Sequence, residues 1–286
     1  MSQPPPRRSP VWDNHFHMDP AGHGVEAVKA FERAGGTHLM LVHKPYALNR
    51  SLDDHARAFR TTIEQAEKAR RETSVKVSVA IAPHPAEFTE LLKMGVPIDE
   101  AAALQRAALE LAQRHVRAGD AVAMAEVGRP HWRPVADDIM AKANELMEYS
   151  FTLALDAGCP VQIHAETATP ESFADLARHL DRAGLPRERA VKHYSTPIVD
   201  VAVNQGLWPS VLIGKGSAEE AAQAGTRFLM ETDYMDDPKY PGAVLGPKTV
   251  PRRTADLVAA GLLSEEQAWI VHAENPKRVY GVDVEL

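Results

Sequence analysis

Eight short apolar runs alternate along the chain with stretches of helical spacing, and this alternation constrains the fold more than any other feature. Near-continuous apolar character is typical of parallel strands that are covered on both faces. Eight strand–helix units predict an α/β fold of the closed (β/α)8 TIM-barrel type. A doubly wound open sheet, the alternative, usually has fewer strands and a glycine-rich turn after the first one. The runs lie at residues 11–17, 39–43, 75–81, 121–126, 160–164, 190–193, 210–213 and 227–233, and 198–205 is among the stretches expected to be helical.

The length of 286 residues suits one such barrel, since barrels of this type commonly have about 250 residues. We expect a single domain over residues 10–286, preceded by a disordered tail over residues 1–9, which has no apolar stretch and does not resemble a secretion signal. No run approaches the roughly 18 apolar residues of a membrane span. The single cysteine, Cys159, excludes an internal disulfide and favours a reducing compartment, so a cytoplasmic location is expected.

Side chains that commonly bind metals stand at the ends of the predicted strands. His15 and His17 lie two residues apart at the end of the first strand, so both imidazoles and Asp13 share one face. Strands four, five, six and eight end in Glu126, His164, His193 and Asp233. The C-terminal ends of barrel strands meet at one mouth, which predicts that these six side chains converge on a metal site. Under the alternative, every one of the six would be separately hydrogen-bonded at its own strand end.

Several motifs make the chain resemble the TatD family of metal-dependent hydrolases, within the amidohydrolase superfamily. The matching segments are residues 13–17, 125–128, 161–164, 192–195 and 231–233, together with the turn at 83–85 and the segment 274–281. The resemblance extends from about residue 11 to residue 281. The chain departs from the family pattern after strand four, where it has Arg129, Pro130 and His131, and after strand five, where it has Ala165, Glu166 and Thr167.

The resemblance implies two divalent metal ions, with zinc or manganese better suited to these ligands than magnesium. One ion would be held by His15, His17 and Asp233. The other would be held by His164 and His193, and Glu126 would bridge both in the place that a carboxylated lysine has in some relatives. The family chemistry is attack by a metal-bridging hydroxide, for which Asp233 is the expected general base.

Residues near the strand ends bear on the substrate. Lys44, Arg129 and Lys215 are predicted to bind an anionic substrate, although solvated side chains are an alternative for the lysines. His84 is a second candidate catalytic residue that would orient the substrate, or else it stabilises its own turn. Residues 234–250 have no helix or strand pattern and are predicted to form a lid over the mouth.

These observations leave three hypotheses about function. Hydrolysis of phosphodiester bonds in DNA or an oligonucleotide is the first, because the family includes nucleases. Hydrolysis of a small amide, lactone or phosphoester is the second, because the net charge of −7 gives no electrostatic support for a large nucleic-acid footprint. A barrel that only binds a ligand is the third, and the complete set of metal-binding side chains argues against it. The oligomeric state is left open.

Overall fold

The structure is a computed structural model that describes residues 9–131 and 135–285. Strands and helices alternate in the predicted order. The strands are β1 (Trp12–Phe16), β2 (His38–Val42), β3 (Lys76–Ala80), β4 (Met124–Gly128), β5 (Val161–His164), β6 (Ala190–Ser195), β7 (Trp208–Leu212) and β8 (Leu229–Glu231). Apart from Ser9, the predicted N-terminal tail lies outside the described residues.

Every strand pairs in parallel with its neighbours in chain order. Continuous ladders join β1 to β3 and β4 to β8. Isolated parallel bridges complete the circle, from Ala80 to Ala123 between β3 and β4 and from Phe16 to Tyr234 between β1 and the end of β8. The predicted (β/α)8 barrel is therefore confirmed. Backbone pairing is sparse at both of these junctions, and at the β8–β1 junction it begins only at Tyr234, beyond the short strand β8.

The helices cover the outside of the strands. They are α1 (Val25–Arg33), α2 (Leu52–Glu72), α3 (Pro85–Lys93), α4 (Ile98–Ala118), α5 (Asp137–Ala157), α6 (Pro170–Ala183), α7 (Ser217–Ala224), α8 (Thr249–Ala259), α9 (Glu265–Trp269) and α10 (Asn275–Tyr280). A 3-10 turn precedes β6 and a π-helical segment joins α9 to α10. None of the helices in the described ranges has the length and apolar character needed to cross a membrane.

The helix expected at residues 198–205 is not formed, and this prediction was wrong. The segment between β6 and β7 runs as successive turns. The buried amide of Asn204 donates to the carbonyl oxygens of Ile198 and Val199 at 3.1 and 3.2 Å. These side-chain bonds satisfy carbonyl groups that a helix would have paired internally.

Apolar side chains pack on both faces of the strands. One cluster lies between the strands and the surrounding helices, and another lies inside the barrel. The outer cluster packs helices such as α1 and α5 onto the barrel through Phe31 and Phe151. The inner cluster takes side chains from seven strands, so it fills the lower barrel. Tyr280 of α10 belongs to it and stacks on Trp12 at 6.0 Å between ring centroids. The C-terminal helix α10 thus contributes to the core at one end of the barrel. The polar C-terminal ends of the strands lie at the opposite end.

Candidate metal centre

The six side chains predicted to converge do lie together at the barrel mouth, and His84 joins them. They form three groups whose ligand atoms lie within 4.8 Å of one another. The groups are His15, His17 and Asp233; His15, Glu126 and His193; and His84, Glu126 and His164. Imidazole nitrogens and carboxylate oxygens at this spacing suit a divalent transition metal.

The Glu126 carboxylate occupies the middle of this arrangement. Its Oε1 lies 3.5 Å from His15 Nε2 and 3.7 Å from His17 Nε2. Its Oε2 lies 2.8 Å from His164 Nδ1 and 3.1 Å from His193 Nε2. Burial alone would raise the pKa of Glu126, but the surrounding imidazoles outweigh it and hold the pKa well below the usual value. The carboxylate is therefore ionised and faces one pair of histidines with each oxygen.

Asp233 follows β8 and faces the histidines of β1. Its Oδ1 lies 3.3 Å from His17 Nε2 and 3.8 Å from His15 Nε2. The backbone of Asp233 has φ +45°, a left-handed conformation that aspartate tolerates better than most residues. Burial would raise the pKa of this carboxyl group, but the bond to His17 and the neighbouring imidazoles lower it. An ionised Asp233 can bind a metal or accept a proton.

Three of the imidazoles are oriented from behind by buried acceptors. His15 Nδ1 contacts Gln162 Oε1 at 2.7 Å, His17 Nδ1 contacts the carbonyl oxygen of Val42 at 2.8 Å, and His193 Nδ1 contacts Glu231 Oε1 at 3.2 Å. Each acceptor places the ring proton on Nδ1 and leaves Nε2 facing the centre. Sequence reasoning missed Gln162 and Glu231 as functional residues, although a polar side chain within an apolar strand was the available sign.

Asp13 was predicted to share one face with the histidines, but it lies opposite Leu39 of the outer cluster, belongs to none of the three ligand groups and has a structural role. Its carboxylate accepts from the backbone N–H of Thr232 at 3.0 Å and from the Thr232 hydroxyl at 2.7 Å. Burial raises the pKa of Asp13 to about 7. These bonds attach β1 to the end of β8, so that Asp233 stays beside His15 and His17.

The structure shows that His84 stabilises its own turn and lies beside Glu126, whereas its predicted role in orienting the substrate stays a prediction. It precedes α3, and its Nδ1 accepts from the backbone N–H of Ala86 at 3.0 Å. Glu87 completes this cap by accepting from the backbone N–H of His84 at 3.1 Å. The other ring nitrogen, Nε2, lies 3.6 Å from Glu126 Oε2. The cap therefore fixes a ring that also faces the metal centre.

A cavity of about 380 Å³ opens above these residues. Beyond the histidines and carboxylates, its wall is formed by Lys44, Pro45, Ala86, Ala165, Thr167, Tyr194, Met235 and Asp237. The Lys44 ammonium group is buried and already paired, with its Nζ 2.8 Å from Asp19 Oδ2 and 3.8 Å from Asp237 Oδ2. The cation at the mouth is thus balanced by two carboxylates.

Arg129 and Lys215 do not line this cavity, so their placement does not support contact with the substrate. The Arg129 guanidinium is buried, binds the Glu166 carboxylate and lies 2.7 Å from Asp175 Oδ2. Lys215 is exposed ahead of α7. The two departures from the family pattern, after β4 and after β5, therefore contact each other through Arg129 and Glu166.

The first residues of the segment predicted to form a lid are held in place and form part of the cavity wall. Tyr234 pairs with β1, and Met235 and Asp237 line the cavity. Between them, Asp236 is buried and accepts from the backbone N–H groups of His23 and Gly24, each at 2.8 Å. Residues 238–243 are exposed. Movement of this exposed part over the mouth stays a prediction.

Comparison with known proteins places this chain in a family. The model of the family described as TatD related DNase matches residues 12–281. The uncharacterized protein MJ1127 of Methanocaldococcus jannaschii is 39% identical over 283 residues, which are 97% of this chain and 98% of that protein.

Solved structures share the fold at low sequence identity. The TatD-like protein of Archaeoglobus fulgidus superposes with a TM-score of 0.63 and 17% identity over 95% of this chain and 100% of its own. The phosphotriesterase homology protein of Escherichia coli, solved with phosphate in its active site, has a TM-score of 0.63 and 12% identity over 95% of this chain and 98% of its own. The chain belongs to the TatD family of metal-dependent hydrolases, which have the amidohydrolase fold.

Proposed function

We propose that this protein binds two divalent ions and hydrolyses a small molecule, such as a phosphoester, lactone or amide, in preference to DNA. The observation that carries the proposal is the charge of the cavity above the metal centre. Lys44 is the one lysine or arginine among the described lining residues, and Asp19 and Asp237 neutralise it. A nucleic acid needs cations that stay available for its phosphates.

The side chains present fit the metal that the family implies. His15, His17 and Asp233 would hold one ion, and His164 and His193 the other, with Glu126 contacting both. Zinc or manganese suits this mixture of nitrogen and oxygen donors. When bound, such ions polarise the scissile group and activate water near neutral pH.

The protein's own groups then supply orientation and proton transfer. Gln162 and Glu231 hold the rings of His15 and His193, so the ligand atoms are in place before substrate binds. The Asp233 carboxylate accepts the proton of the attacking water and returns it to the leaving group. Its lowered pKa keeps it in the basic form at neutral pH.

The dimensions of the cavity also favour a small substrate. A volume of about 380 Å³ falls in the range of about 300–1,000 Å³ that is typical of small-molecule sites. Tyr194 and Met235 also line the cavity and give it apolar surface beside the charged groups. A substrate with an apolar portion and one hydrolysable polar group matches this division.

Nuclease activity is the second candidate, favoured by the description of the matching family as TatD related DNase. The deciding experiment offers the zinc- or manganese-loaded protein single-stranded DNA, a chromogenic phosphodiester, phosphomonoesters, lactones and amides. We expect turnover of a small substrate, abolished by chelation, and little cleavage of DNA. Efficient DNA cleavage, with no small substrate turned over faster, would overturn the preference. Failure to bind metal would favour the non-catalytic barrel.

A further inference from the structure

The fourth imidazole of the centre, His164, is oriented differently from the other three. Its Nδ1 lies 2.8 Å from Glu126 Oε2, whereas Nε2 faces the centre in His15, His17 and His193. The outward nitrogen of His164 is therefore Nε2. That nitrogen lies 2.9 Å from Nε2 of His131, a residue that also lines the cavity.

The direction of this hydrogen bond follows from the metal centre. Nδ1 of His164 can bind an ion only through its lone pair, so the ring proton must be on Nε2. His131 then accepts that proton's hydrogen bond through its own Nε2. We propose that His131 is a positioning residue, which holds the His164 ring with Nδ1 directed at the Glu126 side of the centre. This inference rests on the proposed role of His164 as a metal ligand.

The segment that carries His131 is built to stay beside His164. The backbone N–H of Arg129 donates to the His164 carbonyl oxygen at 3.0 Å. The Arg129 side chain binds Glu166, two residues after His164, and Asp175 on α6. The main chain and the ring of His164 are thus held by one short segment, and the buried Arg129 ion pairs anchor that segment to α6.

His131 differs from the acceptors behind the other imidazoles in being exposed. Gln162 and Glu231 are fully buried, whereas His131 lies at the open mouth. Replacement of His131 therefore removes the acceptor without opening a hole in the core. Loss of an outer partner of a metal-binding histidine typically weakens metal affinity about 10–100-fold.

The test compares zinc affinities of the full chain by competition with a chromophoric chelator. In His131→Leu, one zinc should bind about 10–100-fold more weakly while the other keeps its affinity. In His131→Gln, the amide oxygen can replace the acceptor, so affinity should stay near that of the wild type. His115→Leu is the matched control, because His115 pairs with Asp120 at the C-terminal end of α4, just before β4 begins and therefore at the end of the barrel opposite the mouth.

Each result supports or refutes the inference. Wild-type zinc affinity at both sites in His131→Leu would refute it. An equal loss in His131→Gln and His131→Leu would also refute it, because His131 would then act as a ligand itself. Thermal melting of the metal-free variants separates these effects from misfolding. If the wild type binds no zinc, the proposed metal centre fails together with the role of His131. If the wild type binds zinc but His131→Leu does not weaken it, only the role of His131 fails.

Discussion

Replacement of Gly128 by alanine should disturb the metal centre by displacing the backbone that carries its side chains. Gly128 ends β4 with φ +145°, a conformation that side chains rarely adopt. A Cβ atom at this position would lie 1.9 Å from the carbonyl oxygen of His164, and real Cβ contacts essentially never fall below 3.0 Å. The oxygen belongs to the main chain, so the added methyl group can be accommodated only by moving the two strand ends apart by about 1 Å.

The expected magnitude has a stability part and a functional part. Strained φ costs about 1–3 kcal/mol, and loss of the Arg129 N–H bond to His164 adds about 0.5–1.5 kcal/mol. We therefore expect Gly128→Ala to lower the free energy of unfolding by about 1.5–4.5 kcal/mol. Misplacement of a catalytic group by about 1 Å can cost about 10²-fold in rate, so turnover should fall by about that factor.

Three measurements on one preparation test this prediction: thermal melting for stability, elemental analysis for zinc content, and turnover of a chromogenic phosphodiester or of the substrate found by screening. Gly119→Ala is the matched control, because Gly119 has φ +83° but no atom of the described residues outside its immediate neighbours lies within 4 Å of the position that its Cβ would take. That variant should be destabilised without losing metal or turnover. A Gly128→Ala variant with the melting temperature of Gly119→Ala, full zinc content and full turnover would refute the steric clash with His164 as the cause.

Three further predictions concern single side chains. Asp233→Asn should reduce turnover about 10²–10⁴-fold, because the amide cannot accept the proton, and near-wild-type turnover with metal bound would exclude Asp233 as the base. Glu126→Ala should lose both ions while His193→Ala loses mainly one, because the Glu126 carboxylate lies against the β1 histidines with one oxygen and against His164 and His193 with the other; equal metal contents by elemental analysis would show that Glu126 is not shared. Cys159 should resist alkylation in the native protein at neutral pH, because burial raises its pKa to about 11. The rate of alkylation is followed by mass spectrometry. Equal rates in the native and the unfolded protein would contradict the burial of Cys159.

The sequence was sufficient to predict the barrel and the convergence of the polar strand ends. Both follow from local patterns, namely the apolar runs and the position of a polar residue at the end of each run. His15 and Asp233 could be brought together on that basis, although the chain separates them widely. The geometry of a parallel barrel supplies the missing long-range information, because it places equivalent ends of all strands at one mouth.

The outer partners could not be predicted, because they depend on distances across the barrel. Gln162 contacts His15 from 147 residues away, and no local pattern indicates that pairing. Arg129 was interpreted as a substrate contact because it follows a strand that ends in a predicted ligand. Its partner Asp175 lies on α6, and the sequence does not show which face of α6 points toward β4.

The junction between β8 and β1 gives metal binding a second consequence. His15 and His17 lie on one side of this junction and Asp233 lies on the other, and the backbone pairing there is sparse. An ion held by these three side chains would cross-link β1 to the end of β8 and so stabilise the closure of the barrel at this junction. Ligand binding to the native state alone stabilises that state by mass action. Metal supply would then affect the stability of the folded protein as well as its activity.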